Sequence, residues 1–155
     1  MLPRNDAELK AMLMKPLETA TWYVVTKIME QVEDANQETV YDVYDPIMYE
    51  RTYELKNRWM GDVVASNDTA VGVVETMPTH ATSAISGDVI ENLYEIVYEG
   101  LAGHIFGQGA WTKKRNAWKT IEKKCGKANI KKWYGEGMRM AGLNIRNGRG
   151  GVIKS

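Results

Sequence analysis

Two histidines, one cysteine and scattered carboxylates are the side chains in this 155-residue sequence most able to do acid–base, nucleophilic or metal chemistry. A hydrolytic triad needs a base that holds a nucleophile, usually a histidine. His80 and His104 both lie in stretches of small residues, and neither has a nucleophile motif beside it. Zinc needs clustered Cys, His or carboxylate ligands at fixed spacing, which two distant histidines and one cysteine do not supply. Cys125 has no partner for an internal disulfide. Lys123, Lys124 and Lys127 surround it, and neighbouring cations lower a thiol pKa; an incidental free thiol is the simpler reading. Glu33-Asp34 reads as surface charge on a solvated helix face. The glycine-rich 100–110 stretch lacks GxGxxG after a strand and the GK[ST] ending of a phosphate loop. It reads as a flexible loop or docking finger. The sequence therefore predicts no enzyme, no metal and no cofactor.

A second constellation lies further on. The segment from Trp111 to Tyr134 interleaves Trp111, Trp118, Trp133 and Tyr134 with many lysines and Arg115. Cations neutralise phosphates and aromatic rings stack on bases, so Trp111, Lys113, Lys114, Arg115 and Trp118 are candidate docking or nucleic-acid contacts. The tryptophans, however, recur near whole helical turns. That register suits rings turned to a core with lysines left in water.

The elements that position these groups follow from periodicity. Residues 5–38 read as a helix capped by Asn5 or Asp6, with Leu17, Ala20, Tyr23 or Val24, Ile28 and Val32 on one apolar stripe. Pro16 is expected to break or restart it. Residues 39–54 form an ordered connector with Tyr41, Tyr44, Tyr49 and Tyr53 around Pro46, suited to a core or a wet interface. Residues 55–66 and 70–78 read as a strand pair turning at Asn67-Asp68. Residues 79–87 read as an exposed loop. Residues 88–99 read as a helix capped by Asp88 and ending near Gly100, with a strand over LYEIVY as the alternative. Residues 115–141 return to helix, with a break at Gly126 and weak points at Gly135 and Gly137. The fold class is α+β: a long N-terminal helix and a small antiparallel sheet, with helices packed on one face. Residues 1–141 make a single domain; 142–155 hold a short edge strand and a mobile basic tail.

The formal net charge is zero, but it is unevenly divided. Residues 1–110 carry 7 Lys and Arg against 18 Asp and Glu, whereas residues 111–155 carry 13 against 2. Opposite halves attract within a subunit or between neighbouring subunits, or the basic end meets nucleic acid. No apolar run reaches the ~20 residues of a membrane helix, and the first residues lack a signal-peptide layout. A chain made and used in a cytoplasm, with no membrane partner, is expected.

The segment from Tyr44 to Leu55 resembles a motif of the tail-component family of phage structural proteins. That pattern is Tyr-x-Pro, then Tyr-x-Arg-Thr, then a leucine three residues on; Tyr44, Pro46, Tyr49, Arg51, Thr52 and Leu55 match it. The order of elements is similar as well. The family's Ala-Arg-Pro-Phe is replaced by Lys114-Arg115-Asn116-Ala117-Trp118. The resemblance implies a virion protein of the phage neck or tail, assembled in the host cytoplasm. Such a head-tail joining or tail-completion subunit forms a homo-oligomeric ring. It would contact neck adaptor or stopper and tail tube proteins, with DNA passing through the lumen. In such a ring Arg51 would secure the helix–strand junction.

Overall fold

The computed structural model describes residues 3–43, 53–82, 87–91, 93–99 and 114–143. Helix α1 runs from Asp6 to Asn36. At its start the Asn5 side chain accepts the Glu8 N–H at 2.9 Å, and the Glu8 carboxylate accepts the Arg4 N–H at 2.7 Å. This reciprocal cap satisfies donors that a helix end leaves open. The helix continues through Pro16 without a break. Proline removes one hydrogen bond, to the Met12 carbonyl, but this stretch of α1 is largely exposed and water can take that place. A π-helical turn, Gln37–Tyr41, ends the rod.

Helical turn α2 (Glu54–Asn57) occupies the start of the expected first strand. The reason is local. Tyr53 adopts a left-handed conformation (φ 56°), and its carbonyl accepts the N–H groups of Lys56 and Asn57. Strand β1 (Trp59–Ala65) then pairs antiparallel with β2 (Ala70–Thr76), turning through Asn67-Asp68 as expected. Trp59 pairs with Thr76, Gly61 with Val74 and Val63 with Gly72 on the side facing α1. Gly61 and Gly72 are required there: a Cβ on either would stand 2.5 Å from a Val25 methyl.

The described ends of the 79–87 segment are tied into the fold. Ala81–Thr82 (β3) pairs with Val89–Ile90 (β4), so helix α3 begins at Leu93, not near Asp88, and runs to Glu99. Its cap comes from far away. The buried Thr79 hydroxyl donates to the Ile90 carbonyl and accepts the Leu93 N–H. Helices α4 (Trp118–Lys124) and α5 (Lys127–Met140) follow, separated at Gly126 as expected.

The core joins the C-terminal half of α1 to α2, α3 and α4, with Val32, Ala35, Leu55, Val97, Tyr98 and Ile121 at its centre. Asn36 and Tyr98 are fully buried in it, and the tyrosine hydroxyl donates to the Asn36 side-chain oxygen. Helix α5 packs back along α1. Gly137 meets Ala20, the Tyr134 hydroxyl lies 3.2 Å from that of Thr21, and Tyr23 donates to Glu136 at 3.1 Å. Helix α1 is thus the layer shared by the hairpin, at Val25 and Met29, and by α5, at Ala20 and Tyr23. The α+β architecture with a long N-terminal helix, a small antiparallel sheet and helices on one face is the one observed. Gly142 and Leu143 are described beyond α5; the remainder of the expected edge strand and tail lies outside the described residues.

Candidate functional site

The helix–strand junction is built from both ends of the tyrosine-rich connector. Tyr41, buried at the end of the π-helical turn, stacks on Tyr53 with ring centroids 4.9 Å apart. Next to it, one Glu54 carboxylate oxygen accepts the backbone N–H groups of His80 (2.6 Å) and Ala81 (2.9 Å). Leu55 is buried, and its carbonyl accepts the Trp59 indole N–H at 2.9 Å. The junction therefore welds α1, α2, β1 and β3 together, and its polar groups are spent on backbone partners rather than held ready for chemistry. Of the six motif residues, Leu55 is described, as a core residue. Tyr44, Pro46, Tyr49, Arg51 and Thr52 lie outside the described residues, and with them the junction role of Arg51. Sequence reading passed over Glu54, because nothing local announces a carboxylate whose donors lie so far along the chain.

Trp111 and Lys113 of the basic aromatic segment are outside the described residues. Lys114 pairs with Glu99 at 3.4 Å, and the Arg115 backbone N–H donates to the Val97 carbonyl. Trp118 is partly exposed, yet its ring is held edge-on by Trp59 (5.7 Å) and Tyr98 (5.9 Å). Trp133 is buried and Tyr134 is engaged with Thr21. The described rings are thus packing elements rather than a stacking platform. The cations do face water: Lys119 and Lys123 on α4, and Lys127, Lys131, Lys132 and Arg139 on α5, are all exposed. Among the described ion pairs only Lys132 of these six is used, with Glu136 at 4.0 Å.

The lysines around Cys125 do not lower its pKa on balance. Burial pushes the Cys125 pKa up, and Lys124 pulls it down by less. Lys124 is itself paired with Glu38. Half-buried Cys125 packs against the core, so it behaves as a small apolar residue. Among the described residues no group of three or more His, Cys, Asp or Glu could hold a metal ion. His80 is exposed, and His104 lies outside the described residues. No described helix is long and apolar enough to cross a membrane.

Two cross-links between the acidic and basic parts close within the subunit, Lys114–Glu99 and Lys124–Glu38. The other cations of α4 and α5 face water, with Glu122 exposed among those of α4; on the hairpin Asp62, Asp68 and Glu75 are exposed. Searches of curated proteins and of solved structures gave no match. The family model described as YomN matches residues 5–140, a span that contains α1 through α5. With the described fold from the Asn5 cap to the last residue of α5 inside that match, the chain belongs to the YomN family.

Proposed function

We propose that this chain is a structural virion protein of a phage neck, a tail-completion or head-tail joining subunit whose copies form a ring between the tail and the portal–adaptor complex. Membership of a phage-derived family supports a phage setting. The Tyr44–Leu55 resemblance supports the neck and tail assignment.

The observation that carries the assembly role is the division of surface charge. Six exposed cations stand on α4 and α5, while exposed acids stand on the hairpin across α1 from α5. A subunit with opposite charge on different sides favours head-to-tail contacts over self-paired ones. Five of the six cations take part in no described ion pair, so an acidic partner surface would neutralise them at small desolvation cost.

The test is assembly. Purified protein, alone and mixed with tail tube protein, is measured by light scattering and electron microscopy across salt. Rings that loosen as salt rises are expected. A monomer under every condition refutes the role. A second reading, nucleic-acid binding, is favoured by the same exposed cations. Its signature is DNA retention that falls steeply with added salt, without ring formation. The packed state of Trp118 and Trp133 weighs against base stacking.

A further inference from the structure

We propose that the projecting N-terminal end of α1 in one copy docks on the outer face of the β1–β2 hairpin of the next copy. This deepens the ring reading and rests on it.

Helix α5 runs antiparallel to α1 and ends at Met140, soon after Gly137 meets Ala20. The side of α1 that it covers continues as Pro16, Leu13, Met12 and Leu9, at helical steps of three and four. No described element covers this stripe. Leu9, Leu13 and Met12 are exposed, Met12 by 53%. From Asp6 to Pro16 the helix spans about 15 Å, so nearly three turns lie beyond its described packing against α5.

The hairpin has the matching feature. Its inner face packs on its own α1. Its outer face is formed by the pairs Met60–Glu75, Asp62–Val73 and Val64–Val71. Met60, Val64, Val71 and Val73 are all exposed, Val64 by 63%. Strands of seven residues span about 24 Å, room for a stripe about 10 Å long. Exposed apolar surface gathered on one face, with charges set among it, marks an interaction site.

Charge selects the occupant. Lys10 and Lys15 flank the α1 stripe, one on each side, while Glu18 lies on the opposite side of the helix, Glu8 is committed to the Arg4 N–H and Asp6 stands in the first turn at the helix tip. The hairpin face carries Asp62 and Glu75. None of Lys10, Lys15, Asp62 and Glu75 takes part in a described ion pair. Stripe on stripe would oppose lysines, and hairpin on hairpin would oppose carboxylates. Stripe on hairpin pairs them. The two patches differ, so each copy uses one on each neighbour, the head-to-tail geometry that closes into rings.

The experiment is a charge-swapped pair in the full-length chain. One variant carries Lys10→Glu and Lys15→Glu; the other carries Asp62→Lys and Glu75→Lys. All four side chains are exposed, so each variant should keep the circular dichroism spectrum and melting temperature of the parent. Assembly is read as mass against concentration. Each variant alone should need about tenfold or more higher concentration to assemble. An equimolar mixture should assemble as the parent does, because each acidic stripe then meets a basic hairpin and each basic stripe an acidic one. Variants that assemble alone like the parent overturn this interface, and so does a mixture that stays monomeric. In both cases assembly of the parent leaves the ring reading standing. A parent that never assembles overturns the ring reading itself.

Discussion

Replacing Gly137 with alanine should destabilise the protein, although alanine is the better helix former. A Cβ at this position would lie 2.8 Å from the Ala20 Cα, 3.1 Å from the Ala20 carbonyl oxygen and 3.1 Å from the Tyr23 Cβ. The first two are backbone atoms of α1, which cannot rotate away. Relief requires α5 to move about 1 Å off α1, loosening contacts around the buried Trp133. Overpacking of this kind costs about 1–3 kcal/mol, and more where backbone blocks the way. The gain in intrinsic helix propensity is about 1 kcal/mol. The expected net loss is about 1–2 kcal/mol, or about 2–8 °C in melting temperature for a domain of this size. Gly135 is the internal control. It sits in the same helix with nothing within 4 Å of an added Cβ, so Gly135→Ala should stabilise by about 0.5–1 kcal/mol. Urea unfolding followed by circular dichroism measures both. A Gly137→Ala variant as stable as Gly135→Ala would refute the close approach of α5 to α1.

Other outcomes follow from single groups. Burial raises the Tyr98 pKa far above its ordinary value of 10.0, against a smaller opposing effect of the Asn36 hydrogen bond. The folded state therefore keeps a proton that the unfolded state loses near pH 10. Stability should hold below that pH and fall above it; in Tyr98→Phe this alkaline loss should shrink, on top of a pH-independent cost of about 1–3 kcal/mol for orphaning Asn36. Denaturant melts at pH 8 and pH 11 check both parts. Glu54→Ala should cost about 1–3 kcal/mol by removing the acceptor of two backbone N–H groups, read from the shift in urea midpoint. Trp118→Ala should cost about 2 kcal/mol, less than the roughly 3–5 of a fully buried ring, and leave any DNA retention unchanged. Cys125 should react with a thiol reagent at pH 8 more slowly than an exposed cysteine, because burial raises its pKa.

What the linear chain determined by itself was local. Asn5 with Glu8 announced the start of α1, Asn67-Asp68 between valine-rich runs announced the hairpin, and Gly126 announced the step from α4 to α5. Each signal needs only residues within a turn of each other. Trp118 and Trp133 do pack, but on α4 and α5, so their 15-residue spacing is not the register of one helix. The charge division was plain in the order of residues, but not which cations would close on Glu38 and Glu99 and which would face water.

Tertiary structure decided whatever depends on a partner far along the chain. Leu93 starts α3 because Thr79 reaches across to cap it, and Glu54 is a structural acceptor because His80 and Ala81 present their N–H groups to it. Gly137 looked like a weak point of a helix and is the place where two helices touch. Pro16 looked like a break and is carried in an uninterrupted rod. The apolar stripe from Leu17 to Val32 was readable from spacing alone, but its continuation through Pro16, Leu13, Met12 and Leu9, and the point where α5 leaves it uncovered, came only with the fold. The physical reason is the same throughout: propensity and periodicity act over a few residues, whereas caps, close approaches and uncovered faces are relations between surfaces that only the folded chain brings together.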